Sequence, residues 1–212
     1  MKVPVFGEEF EMLPEKALLW TSKKILLVAD LHLGKINHFR KAGIPVPTKA
    51  NYRNWESILH LIEATTPKRV VFLGDLFHSH YNEEWEVLRQ LIKNFQEVSF
   101  ELVIGNHDIL SNNQYARNNL KLHRERLMEE PFVFSHHPME EIEGDWYNLA
   151  GHIHPGVLLQ GKGKQAVTLP CFYFGERQGI LPAFGSFTGL ARIQPKKEDR
   201  IFVIAENTVI KI

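Results

Sequence analysis

Val70-Val71-Phe72-Leu73-Gly74-Asp75 is the stretch whose reading decides the fold. Four consecutive apolar residues ending in Gly-Asp describe a buried strand that delivers a carboxylate at its carboxyl end. Glycine carries no Cβ, so another group can approach the backbone closely at Gly74. A lone Gly-Asp more often serves as a turn or a helix cap. Here three other strand ends carry polar groups in the same manner: Asp30-Leu31-His32, Gly105-Asn106-His107-Asp108 and Gly151-His152-Ile153-His154. Ser135-His136-His137-Pro138 follows a further apolar run. A carboxylate set among these groups can bridge two cations, and Asp75 is the residue expected to do so.

Upstream, Lys24-Ile25-Leu26-Leu27-Val28-Ala29 precedes Asp30 and reads as a strand buried on both faces. The first twenty residues hold short strands, with a hairpin closed near Pro14. Residues 33 to 47 read as a loop carrying Lys35, His38, Arg40 and Lys41. A helix is expected from about Thr48 to Glu63, with Trp55, Ile58, Leu59 and Ile62 on one face. After the strand at 69–73 comes a second helix, about 83 to 95, with Trp85, Leu88, Leu91, Ile92 and Phe95 on one side. Asn82 can cap it, and Glu83, Glu84 and Glu86 suit its N-terminus. A strand at 98–104 then delivers Gly105-Asn106-His107-Asp108. Alternating strands and helices imply parallel strands with crossover helices. Beyond about residue 131 the apolar segments are short and strand-like: Phe132–Phe134, Trp146–Ala150, Ala166–Leu169, Ala183–Phe187, Ile201–Ile204 and Thr208–Ile210. The expected fold class is therefore α/β (α+β), two mixed sheets packed face to face with helices outside, in a single domain over residues 1–212.

Composition excludes several alternatives. The 212 residues are 44% hydrophobic, enough for a sizeable core. Lys and Arg number 25 and so do Asp and Glu, so no global positive field points to nucleic acid, although a local patch remains open. The single cysteine, Cys171, excludes an internal disulfide and a cysteine zinc site, and fits a reducing, cytoplasmic setting. No signal-peptide core opens the chain, and no apolar run approaches the ~18 residues that span a bilayer, so no membrane association is expected. Gly156 to Lys162 has the spacing of a nucleotide phosphate loop but lacks the following Ser or Thr and any helix pattern; it reads as a hairpin turn. Cys171, among aromatic residues, reads as core. Lys121, Arg124 and Arg126 read as a basic cluster, solvated surface first and a DNA-facing edge as the alternative.

The strand-end residues are ligand types. In an extended segment residues i and i+2 share a side, so Asp30 with His32, and His152 with His154, can each face one cation, although either pair alone is a weak signal. Carboxylate, imidazole and amide oxygen suit manganese, iron, nickel or zinc.

The order Asp-x-His, Gly-Asp, Gly-Asn-His-Asp, His, Gly-His-x-His over residues 30 to 154 resembles the calcineurin-like metallophosphoesterases. That resemblance implies a four-layer α/β/β/α sandwich and two divalent transition-metal ions, manganese first among them. Asp30, His32, Asp75 and His154 would hold one ion; Asp75, Asn106, His136 and His152 would hold the other. His107 would be the proton donor or phosphate contact, oriented by Asp108, while water activated between the ions attacks phosphorus. Beside the resemblance, His78 and His137 lie near motif positions and read either as supporting groups or phosphate contacts or as plain packing, and His38 and Arg40, on the loop that leaves the strand ending in Asp30, read as substrate contacts or supporting groups. Longer strings, Asp30–Lys35, His38–Arg40, Gly43–Pro47, Gly74–Ser79 and Leu181–Gly189, resemble the bacterial ligase-associated DNA phosphoesterases, an endonuclease-like group linked to DNA repair. They imply DNA as substrate, and a DNA ligase with a repair nuclease or helicase as partners. Two other readings stay open: an esterase for small or cyclic nucleotides, and a non-catalytic docking module for repair proteins.

Overall fold

The computed structural model describes residues 1–35, 49–78, 84–116, 119–161, 163, 165–186 and 188–212. The first half builds a seven-stranded sheet whose spatial order follows the sequence: β1 (Lys2–Val5), β2 (Glu8–Leu13), β3 (Ala17–Trp20), β4 (Ile25–Val28), β5 (Arg69–Leu73), β6 (Ser99–Val103) and β7 (Leu120–His123). β1 to β4 form an antiparallel meander, and β4 to β7 run parallel. Parallel neighbours require crossovers. Helices α1 (Lys49–Thr65) and α2 (Glu84–Asn94) supply the first two. A short helix, α3 (Asn112–Ala116), precedes β7.

The second half forms a nine-stranded sheet from β8 (Arg126–Glu129), β9 (Phe132–Ser135), β10 (Tyr147–Ala150), β11 (Pro155–Gln160), β12 (Ala166–Phe174), β13 (Gln178–Ile180), β14 (Ala191–Arg192), β15 (Arg200–Ala205) and β16 (Thr208–Lys211). The order is β14-β11-β12-β13-β10-β9-β8, with β15 on β12 and β16 on β15. β9, β10 and β13 run parallel, so both halves have their own parallel centre.

Alternation along the strands sorts the apolar side chains into layers. Val70 and Phe72 of β5 face the helices with Trp55, Ile58, Trp85 and Leu88. Val71 and Leu73 face the other sheet, in a core where Phe132 packs edge-on to Phe10 and Trp20 at 5.1 and 4.9 Å. β6 departs from apolar alternation at Glu101, which is buried between the sheets. Arg69 Nε donates to it at 2.7 Å, His123 Nε2 lies 2.6 Å away, and Arg69 also reaches Glu129 on β8. A buried carboxylate is tolerated because these partners satisfy it.

The two-sheet sandwich agrees with expectation, as do both long helices to within a few residues. Both helices cover the first sheet. The outer face of the second sheet carries a small cluster, Val157, Cys171, Ile201 and Val203, with no helix over it among the described residues. Several local readings are corrected. β7, β8 and α3 occupy residues read as a basic cluster or left as connection. β11 occupies Pro155–Gln160, and the turn lies only beyond it. Ala183–Phe187 is not a strand: Ala183 makes one bridge to Ala29, because the segment clamps a loop rather than extending a sheet, and Phe187 lies outside the described residues. Among the described residues no helix is long and apolar enough to cross a membrane.

Candidate metal centre

The chain leaves β4, β5, β6, β9 and β10 at their carboxyl ends on one rim, and each exit carries ligand-type residues. Open parallel sheets place their sites at this edge. The exits turn sharply. Asp30, His32, Asp75, His152 and His154 all have left-handed backbone, with φ of 53°, 49°, 50°, 66° and 52°. For residues with a Cβ this conformation costs of order 1–3 kcal/mol each and gathers at functional sites. It also overturns one part of the sequence reasoning. Asp30 and His32 do meet, but in a coil, and His152 and His154 diverge into different groups.

Ligand atoms of Asp30, His32 and His154 lie within 4.8 Å of one another, as do those of Asp30, Asp75 and His136. His154 Nε2 stands 3.3 Å from Asp30 Oδ1. Around His136 Nε2 gather Asn106 Oδ1 at 2.9 Å, His152 Nδ1 at 3.1 Å and Asp75 Oδ1 at 3.4 Å. Asp75 faces both ways, since its other oxygen, Oδ2, lies 3.6 Å from His32 Nε2.

Hydrogen bonds from behind fix the rings. The Leu73 carbonyl lies 2.9 Å from His136 Nδ1, the Gly189 carbonyl 3.2 Å from His154 Nδ1, and the His78 carbonyl 3.2 Å from His107 Nδ1. A carbonyl only accepts, so each Nδ1 carries a proton; in the neutral form of His136 and His154 that leaves a bare Nε2 turned towards the centre, whereas His107 in its protonated form carries a second proton on Nε2. The carboxylates are held in turn by backbone: the N–H of His152 donates to Asp30 Oδ2 and that of His107 to Asp75 Oδ1, both at 2.9 Å. Burial holds His32 neutral, its pKa lowered to about 2, and lowers that of His152 as well.

These residues fit cations. Asp30 Oδ1 is buried and accepts no hydrogen bond. His136 Nε2 in its bare tautomer faces the oxygens of Asn106 and Asp75, which carry no protons either. Lone pairs pointed at lone pairs are stable only around a positive charge.

The glycines of the motifs also find their reason. A Cβ on Gly74 would fall 2.2 Å from His136 Nδ1, and one on Gly151 would fall 2.6 Å from Asp30 Oδ2. Each glycine makes room for a ligand delivered by a different strand. Gly74→Ala is therefore expected to push His136 out of line and weaken metal binding by roughly 10–100-fold, as loss of an orienting contact does. Calorimetric titration of the metal-free variant checks this, and wild-type affinity would contradict it.

Asp108 differs from expectation. Its carboxylate takes the backbone N–H groups of Gly105 at 2.9 Å, Leu76 at 3.0 Å and Phe77 at 3.3 Å, while the His78 carbonyl orients His107. Asp108 thus ties the β5 exit to the β6 exit. Burial pushes its pKa up to about 7, against the pull of those N–H donors. The side chain of His107 is 39% exposed, with Nε2 4.0 Å from Asp75 Oδ2. His78 stacks on His107 at 5.1 Å and His137 lies against His152 at 4.0 Å, so both border the centre. His38 and Arg40 lie outside the described residues.

Some contributors were not read from the sequence. Glu84, expected to favour a helix end, is buried and accepts from Gly34 N–H at 3.1 Å and Trp55 Nε1 at 3.0 Å, which fixes the turn after His32. Phe184 and Gly185 N–H groups donate to Ala29 and Asp30 carbonyls at 2.8 and 3.1 Å. No short motif signals such cross-links.

A centre of carboxylates, imidazoles and an amide at the strand ends of a two-sheet sandwich defines a metal-dependent hydrolase. The family model for calcineurin-like phosphoesterases matches residues 23–203, and the chain belongs to that family. No curated protein sequence matches the chain. Among solved structures, the nuclease MPE of Pseudomonas putida superposes with a TM-score of 0.82 at 26% identity, covering 100% of this chain and 99% of that one. The phosphoesterase YfcE of E. coli is more distant, with a TM-score of 0.47 at 13% identity, covering 89% and 97%.

Proposed function

We propose that this phosphoesterase is a DNA nuclease: a phosphodiesterase that acts in bacterial DNA repair beside an ATP-dependent DNA ligase, in the cytoplasm. The observation that carries the nuclease reading is the end-to-end likeness to a nuclease, over a centre whose Asp75 turns one oxygen to each ligand group. The ligase, with a repair nuclease or helicase as further partners, rests on the resemblance of the longer strings alone.

Asp30, His32, Asp75 and His154 would hold one ion and Asp75, Asn106, His136 and His152 the second, with manganese as the proposed metal. When bound, such ions acidify water and neutralise charge on the phosphoryl oxygens. The chain's own residues do the rest. His107 is aimed by the His78 carbonyl, is open to solvent, and is the proposed donor of a proton to the leaving oxygen. His78, against His107, and His137, against His152, border the two ligand groups and are the proposed further contacts to phosphate. Arg40 is the proposed contact to the DNA backbone.

With zero net charge, DNA binding is expected to be modest and salt-sensitive. Roughly two to four phosphate contacts give a shallow slope of log affinity against log salt, about −0.7 per contact on single strands. Arg40→Ala should remove about one contact's worth of slope for every sequence alike. The test is a salt titration of binding with cleavage assays on single-stranded, duplex and nicked DNA beside a small chromogenic phosphodiester. Cleavage of the small ester alone would replace the nuclease reading with a small-molecule one.

A further inference from the structure

A cavity of about 420 Å3 opens directly beside the ligand group of His136. His136, His137, Arg124, Arg126, Ile104 and Met139 are among the residues that line it. It lies where the chain passes from β7 in the first sheet to β8 in the second, on the same rim as the metal centre. Both arginines are exposed. Glu101 of β6 and Glu129 of β8 are held by Arg69, which leaves Arg124 and Arg126 without an ion pair among the described residues. Arg126 and Met139 also border a second hollow of about 400 Å3, where Glu141, Glu143 and Trp146 stand.

We propose that the first cavity is a subsite for the nucleotide flanking the scissile phosphate, its phosphate held by Arg124 and Arg126 and its base lying on Met139 and His137. This rests on the nuclease reading. The volume suits a ligand of nucleotide size. Guanidinium forks match phosphate oxygens in pairs, and here two of them sit beside the group that would hold the second ion. Glu125 lines the cavity as well, so the positive charge is local to the arginines. Glu141 and Glu143 repel a further phosphate from the next hollow, which limits the subsite to one nucleotide. The basic cluster that reads as solvated surface in the sequence thereby gains a ligand: it lengthens the substrate from one ester to a strand.

The test compares kcat/KM on a single-stranded oligonucleotide with kcat/KM on bis(p-nitrophenyl) phosphate, which has no flanking phosphate. In Arg124→Ala/Arg126→Ala the ratio of the two should fall roughly tenfold or more, mainly through KM on the oligonucleotide. Lys196→Ala/Lys211→Ala removes the same two charges elsewhere and should leave the ratio unchanged. Should the alanine pair fail to fold, Arg124→Lys/Arg126→Lys carries the test, with a fall of about threefold because an ammonium cannot make the fork. A wild-type enzyme that cleaves the oligonucleotide with a ratio insensitive to the arginines overturns the subsite alone. A wild-type enzyme that cleaves only the small ester overturns the nuclease reading and the subsite together.

Discussion

Asp75→Ala is expected to empty both ligand groups and abolish phosphodiester hydrolysis. The reason is geometric. Oδ1 stands 3.4 Å from His136 Nε2 and Oδ2 stands 3.6 Å from His32 Nε2, so one side chain serves both groups. Removing it leaves each group a ligand short and brings two facing sets of imidazoles together without the charge between them. Affinity at each position should fall by more than the roughly 10–100-fold that loss of an outer contact causes. Metal analysis after dialysis, with activity measured on a chromogenic diester, checks the result. Two tightly held ions per chain in the variant would show that Asp75 is no bridge. In the wild type, rigorous chelation should abolish activity as well.

His107→Ala should behave in the opposite way, keeping the metals and losing turnover by about 10²–10⁴. The contact His107 makes to Asp75 comes from its backbone N–H, at 2.9 Å to Oδ1. Alanine keeps that donor, so the carboxylate stays aimed. What disappears is the imidazole alone, a ring held from behind by a carbonyl with its other nitrogen turned to the centre. The decisive measurement is kcat together with metal content in one preparation. Loss of metal in step with loss of rate would make His107 a ligand and remove its assignment as proton donor.

The parts of this arrangement legible in the sequence were those written locally. Apolar runs of four or five residues ending in Gly-Asp or Gly-Asn-His-Asp need no distant information to be read as buried strands with a payload. What stayed hidden is written between segments. β7 and β8, Leu-Lys-Leu-His and Arg-Leu-Met-Glu, are short and half-exposed, so their charged faces mask the pattern. β11 opens with Pro-Gly, which usually signals a turn. Asp30 and His32 look like an extended pair, yet both are left-handed, a conformation imposed by contacts to the rest of the fold. Asp108 sits next to His107 in sequence and was expected to orient it, but its carboxylate is consumed by three backbone donors. Glu101 and Glu84 carry no local sign of the buried partners that make them acceptable.

One consequence follows from the hydrogen bond that joins His152 to Asp30 across 122 residues, and from the carbonyl of Gly189 that aims His154. Every strand exit that contributes to the centre depends on one made much earlier or much later. During synthesis, a chain that stops short of Gly189 already carries every ligand but lacks the carbonyl that aims His154. The last orienting contact of the centre is therefore made only when the segment around Gly189 has folded back onto the rim.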